Sequence, residues 1–188
     1  MVSSSRVRVI EACPLPAEAL LNRYRTGGNF ADCYVTEIPR TISHAEFVEA
    51  FYTTAVFKLE RILLRLFLSR PSTDLQAAGL ARGELDAFAA WAVEGRAPDQ
   101  LLLADIGGRT RSWLMVAPAP GSVGTRLYFG SAVVPRRSAR AGKPSLGPLF
   151  SALLGFHKLY SRILLRAARS RLARGRRDPP PGRDGPGN

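Results

Sequence analysis

The chain has 188 residues, and His157, Arg111 and Asp105 are the ones whose types and positions could do chemistry. His157 falls at helical spacing on an apolar stripe, one turn from Leu153 and Tyr160. An imidazole held there titrates near neutral pH and can act as a base or orient a ligand. The plainer reading is a core histidine satisfied by one partner. Arg111 can hold a carboxylate or phosphate through two parallel hydrogen bonds, which lysine cannot reproduce. Asp105 lies across Gly107-Gly108 from it, so a shared face would pair the two as a cross-strand ion pair. Asp32, also in a strand-like run, faces either water or a cavity by the same alternation. His44 opens a helix and reads as exposed and structural. Two histidines placed so differently make no metal site, and no metal or cofactor is expected.

The remaining candidates are weaker. Trp91, Trp113, Tyr34, Tyr128 and Phe129 make up the aromatic content of strand-like runs. Such residues form a core by default; around a cavity they would wall a ligand box together with Tyr160. Cys13 and Cys33 make neither a disulfide framework nor a zinc quartet, and Cys33 reads as a buried thiol with no activating base beside it. Gly107-Gly108 and Gly121 to Gly124 open no helix, so neither is a phosphate-binding loop.

The net charge is +12 and unevenly spread. Residues 1–105 carry 11 basic and 13 acidic side chains, whereas residues 106–177 carry 15 basic and no acidic ones. That half would attract an anionic membrane or another polyanion, with Arg136, Arg137, Arg162, Arg166 and Arg169 as the contact residues. A compositional reading stands beside it: only Lys58, Lys143 and Lys158 are lysines, and the chain is rich in Ala, Gly and Pro, as a GC-rich genome would produce. No helix-turn-helix or other reading motif points to sequence-specific nucleic acid.

Positioning these residues requires elements, and 46% hydrophobic content is enough for one globular domain. Phe30 to Ile38 reads as a strand ended by Pro39. Ser43 and Glu46 have capping-box spacing, with Ile42 and Phe47 as a hydrophobic staple, so a helix is predicted from Ser43 to about Ser69. Its buried side would hold Phe47, Phe51, Leu59, Ile62, Leu63, Leu66 and Phe67. Thr73 and Gln76 open a shorter helix limited by Gly79 and Gly83, and Ala17 to Tyr24 could form a short one after Pro16. Four runs follow as an antiparallel meander: Phe88 to Glu94, Gln100 to Ile106, Arg109 to Ala117 and Thr125 to Val134. Gly107-Gly108 supplies a two-residue primed turn. After a basic loop, Pro135 to Pro144, a long amphipathic helix runs from Leu146 to about Ala173. Its stripe is Leu146, Phe150, Leu153, His157, Tyr160 and Leu164. The prediction is an α+β fold over residues 1–174, with a curved antiparallel sheet of four meander strands plus an N-terminal strand packed on that helix. Residues 175–188, rich in Pro, Gly and Arg, have nothing to bury and read as disordered.

The pattern of Trp91-Ala92-Val93-Glu94, Gln100 to Asp105, Arg111-Ser112-Trp113 and the long terminal helix resembles an uncharacterised bacterial family. That family is related to the START-like superfamily (SRPBCC, polyketide-cyclase-like), and the resemblance covers about residues 30–173. It implies a helix-grip fold and a small hydrophobic or amphipathic ligand held between sheet and helix, without carrying over any catalytic residue. Members act as ligand binders, cyclases or have no assigned role. The expected ligand contacts are His157, Arg111, Asp105, Tyr34, Trp91, Trp113, Tyr128 and Tyr160. Apolar stretches are broken well before the ~20 residues of a membrane span, and Met1 to Ile10 holds no apolar run with a cleavage site. A cytoplasmic location is therefore expected.

Overall fold

A computed structural model describes residues 9–25, 30–58, 72–121, 123–134 and 148–174, and within the last helix the side chains from Leu159 onward. The strands are β1 (Glu11–Ala12), β2 (Phe30–Ile38), β3 (Ala87–Phe88), β4 (Trp91–Ala97), β5 (Gln100–Asp105), β6 (Thr110–Pro118) and β7 (Thr125–Val133). The helices are α1 (His44–Tyr52), α2 (Asp74–Arg82) and α3 (Pro148–Arg174), and a 3-10 turn occupies Leu20–Tyr24. All seven strands form one antiparallel sheet in the order β1-β2-β7-β6-β5-β4-β3. The sheet is thus wider than the five strands expected. Strands β1 and β3 are two residues long, too short to show alternation in a sequence.

Both faces of the sheet are covered. Tyr34, Ile38, Leu101, Leu103, Leu114, Leu127 and Phe129 point to the helices and pack with Phe47, Phe51, Leu80, Leu164, Leu165 and Ala168. Cys33, Leu102, Trp113, Met115, Tyr128 and Ala132 point the other way, where the N-terminal segment brings Ala19 and Leu21. A Cβ on Gly130 would come within 2.9 Å of both Leu21 and Trp113, so the absence of a side chain there lets the segment lie flat on the sheet. Gln100 ties the same layer together. Its Oε1 accepts from Trp113 Nε1 and from the Leu20 backbone, each at 2.9 Å, and its Nε2 donates to Glu18 O.

Local chemistry sets the helix ends. Ser43 with Glu46, and Thr73 with Gln76, form both predicted capping boxes. Gly83 ends α2 with φ +80°, and Arg96 donates to the carbonyls of Leu80 and Leu85 near that end. The first helix is shorter than its apolar period suggests. Thr53 Oγ1 bonds back to Glu49 O, while Thr54 Oγ1 bonds Phe51 O and accepts from Phe57 N. Threonine hydroxyls thus end one helix and cap the next turn, which begins at residue 55. Leu59, Ile62, Leu63, Leu66 and Phe67 lie outside the described residues.

The meander has two corrections. Predicted as one strand, Phe88 to Glu94 instead folds on itself through Ala89, whose φ of +54° would ordinarily call for glycine. The β5–β6 link is four residues, and only Gly108 has positive φ, so the turn is not the primed two-residue type. The terminal helix packs on α1, β2 and β7. Arg40 donates to Leu172 O at 2.6 Å and Arg169 to Glu37 O at 3.0 Å, fixing its last turns to the edge of the sheet. Among the described residues no helix is long and apolar enough to cross a membrane. The 135–144 loop and the 175–188 tail lie outside the described residues.

His44 is not the exposed residue expected of a first helical turn. Burial, with a contribution from Arg96, pushes its pKa from 6.5 down to about 4, against the opposing backbone bond to Leu114 and the charge of Asp99. Its Nε2 is buried without a hydrogen-bond partner. Between pH 6.5 and 4 the unfolded chain binds a proton that the folded chain refuses, so stability falls as pH drops through that window. The loss reaches about 3 kcal/mol at the lower end. Urea unfolding at pH 7 and pH 4 is expected to show a larger acid loss for the wild type than for His44→Gln, by about this amount. Equal losses would contradict it.

Candidate functional site

A cavity of about 160 Å³ lies between α3, the end of α1 and the central strands. Phe51, Phe57, Trp91, Phe129 and Leu164 form its apolar walls, while Thr110, Ser112, Ser131, Tyr160 and Ser161 bring hydroxyls to it. The elements explain this division. Ser112 and Ser131 are cross-strand partners on β6 and β7, facing the helices. Ser161 is fully buried, one turn before Leu164 and Leu165. Three small side chains therefore meet where larger ones would fill the space, and a void remains. Tyr52 Oη and Ser112 Oγ are 3.1 Å apart, and Ser131 donates to Asp32 Oδ1 at 2.5 Å, so these hydroxyls are held in place. The second carboxylate oxygen of Asp32 is buried without a partner. Phe51 and Phe129, with centroids 4.8 Å apart, anchor the aromatic wall to Tyr52, Phe57 and Phe88.

Of the residues expected to touch a ligand, Trp91, Tyr160 and Arg111 line this cavity. Arg111 does so without its guanidinium. The register pairs Ala104 with Arg111, so Asp105 and Arg111 fall on opposite faces and do not pair. Arg111 Nε instead donates to Glu94 Oε2 at 2.5 Å and to Tyr24 Oη at 2.9 Å, with the Tyr24 ring 4.7 Å from its guanidinium carbon. Tyr24 also bonds Glu94 Oε1. This cluster fastens the N-terminal segment to the sheet. Asp105 accepts from the backbone of Gly107, Arg109 and Thr110 and so shapes the hairpin.

Trp113 and Tyr128 belong to the core on the far face, placed there by the same alternation. Tyr34 faces the helices but packs in the core beneath Arg162, 5.3 Å from its ring, and burial raises its pKa. His157 belongs to α3, one turn before Ser161, and its side chain lies outside the described residues.

Sequence reasoning missed the serines, although Ser112 and Ser131 are small polar residues inside otherwise apolar strands. It also missed that Cys13 and Cys33 meet, their sulfurs 3.3 Å apart. Twenty residues separate them, and only the β1–β2 register brings them together.

A second hollow, a groove of about 500 Å³, runs along the outer side of α3. Arg162, Arg166 and Arg169 line it with Val9, Ile10, Leu159 and Ile163. Val9, Leu159 and Ile163 are exposed. Arg136 and Arg137 lie outside the described residues. Among the described residues no cluster of three or more His, Cys, Asp or Glu side chains could hold a metal ion. No protein-family model and no curated protein matches the chain.

Proposed function

We propose that this chain is a START-like ligand-binding module that holds a compact, mostly apolar molecule between its sheet and α3. The observation that carries this reading is the cavity under α3, with aromatic walls and serine hydroxyls from both the sheet and α3 in its lining. Its size sets the ligand class. A space of about 160 Å³ suits one ring or a short branched chain. Drug-sized pockets run from roughly 300 Å³ upward. The polar end would be a hydroxyl or carbonyl, because serine and tyrosine hydroxyls can meet either as donor or acceptor. Two features support the superfamily reading: the seven-stranded antiparallel sheet and a terminal helix lying on β2 and β7. The resemblance leaves open whether the bound molecule reacts.

A second reading rests on the groove. Three arginines and exposed apolar side chains on one side of α3 match an anionic membrane surface, whose headgroups take the charge while its outer acyl region takes Leu159 and Ile163. Two of the arginines also have internal duties, Arg162 over Tyr34 and Arg169 on Glu37 O.

Benzyl alcohol, a single ring with one hydroxyl, is a direct probe of the cavity. At ten times its Kd it is expected to stabilise the protein by about 1.4 kcal/mol in thermal or urea unfolding. In Ser161→Leu, which fills the cavity, the gain is expected to vanish while circular dichroism stays native. Equal stabilisation of both proteins would overturn the proposal. For the groove, flotation with vesicles containing phosphatidylglycerol is expected to capture the wild type at low salt and lose it as salt rises. Arg162→Gln/Arg166→Gln should float several-fold less, and equal flotation with pure phosphatidylcholine would rule this reading out.

A further inference from the structure

The pair Cys13 and Cys33 plays no part in the cavity or the groove. Both are free thiols, Cys13 half-buried and Cys33 buried, with sulfurs 3.3 Å apart. Glu11 pairs with Val35 and Ala12 with Tyr34, and Cys13 N donates to Cys33 O at 3.0 Å, so the register continues to place the cysteines directly opposite each other. Directly opposed antiparallel residues have Cα atoms about 4.5–5.5 Å apart, inside the range a disulfide spans. Closing the bond therefore needs only side-chain rotation, with the strands left where they are.

We infer that Cys13 and Cys33 are a reversible oxidation site that takes a peroxide as its oxidant, and that the resulting disulfide clips the N-terminal segment to the sheet. Cys13 is the thiol that meets the oxidant, since it is the more exposed of the two. The adjoining Cys33 and the positive charge of Arg126 hold its pKa below the ordinary thiol range, against the effect of burial. The Cys33 thiol is pushed up, by its hydrogen bond with Cys13 and then by burial. The two thus divide the roles of attacking and resolving sulfur.

The chemistry balances in two steps. The Cys13 thiolate attacks one oxygen of hydrogen peroxide, the O–O bond breaks, and a sulfenic acid and hydroxide result. The Cys33 sulfur then displaces hydroxide from the sulfenic sulfur, forming the S–S bond, and its proton leaves in water. Overall, two thiols and one peroxide become one disulfide and two waters. A small dithiol reverses it by exchange.

The bond would tie down residues 9–25, whose Leu21 and Tyr24 cover the far face of the sheet. Neither cysteine lines the cavity under α3, so the disulfide forms whether or not that cavity is occupied.

The test is hydrogen peroxide treatment of the full reduced chain, read by intact mass, peptide mapping and thermal unfolding. The expected result is loss of two hydrogens, a Cys13–Cys33 peptide within a monomer, and a rise in Tm of about 5–10 °C that dithiothreitol reverses. Cys33→Ser should stop at a sulfenic acid on Cys13 that dimedone traps. Cys13→Ser should react at Cys33 at least tenfold more slowly. Both thiols surviving a dose that oxidises free glutathione would overturn the inference, as would their oxidation one by one without a cross-link. An intramolecular bond that left Tm unchanged would refute the clip. The wild-type measurement decides even where a variant fails to fold.

Discussion

The whole arrangement depends on the strict alternation of β6 and β7, a strand pair buried on both faces. Along Thr110–Pro118 and Thr125–Val133 every second side chain enters the helical layer, and its neighbours enter the layer under the N-terminal segment. Ser112, Leu114, Leu127, Phe129 and Ser131 go one way; Trp113, Met115, Tyr128 and Ala132 go the other. A slip of one residue would put Trp113 into the cavity and the serines against Leu21. Burial on both sides fixes the register, because such a slip would misplace all these side chains at once.

That constraint divides the molecule into a sealed layer and a hollow one. On the far face Gln100 satisfies three polar groups, Gly130 admits Leu21, and the Tyr24–Glu94–Arg111 cluster closes the margin. Glu94 reaches Arg111 because the β4–β5 register shifts between Val93 and Gly95, freeing one residue from the ladder. On the helical face, serines from two strands and one helix converge and leave space between aromatic rings. A cavity between such rings costs stability by forfeiting contacts, and a bound molecule that fills it returns them.

Much of this fold was legible from the chain, for identifiable reasons. Strand β2 and both capping boxes were read at their true ends because Pro39, Ser43 and Thr73 are strong local signals. What failed was information that local pattern does not carry. The apolar period runs straight through Thr53 and Thr54, so the helix break there is invisible without their hydrogen bonds. Residues Ala89 and Ala90 offer no turn signal, and the two-residue strands have no period. A shared face for Arg111 and Asp105 rested on their nearness across a hairpin, but a register centred on Gly107-Gly108 pairs Arg111 with Ala104 and so puts Asp105 on the other face. Cys13 and Cys33 meet only through tertiary register.

The central claim is that the space beneath α3 is a real binding cavity with an apolar end. Xenon pressurisation of crystals tests it most directly, because xenon enters apolar voids of this size without needing a specific ligand. The account predicts one ordered xenon among Phe51, Phe129 and Leu164, absent from crystals of Ser161→Leu. A well-ordered structure with no xenon at that position, and side chains of α3 closed against the sheet, would contradict it.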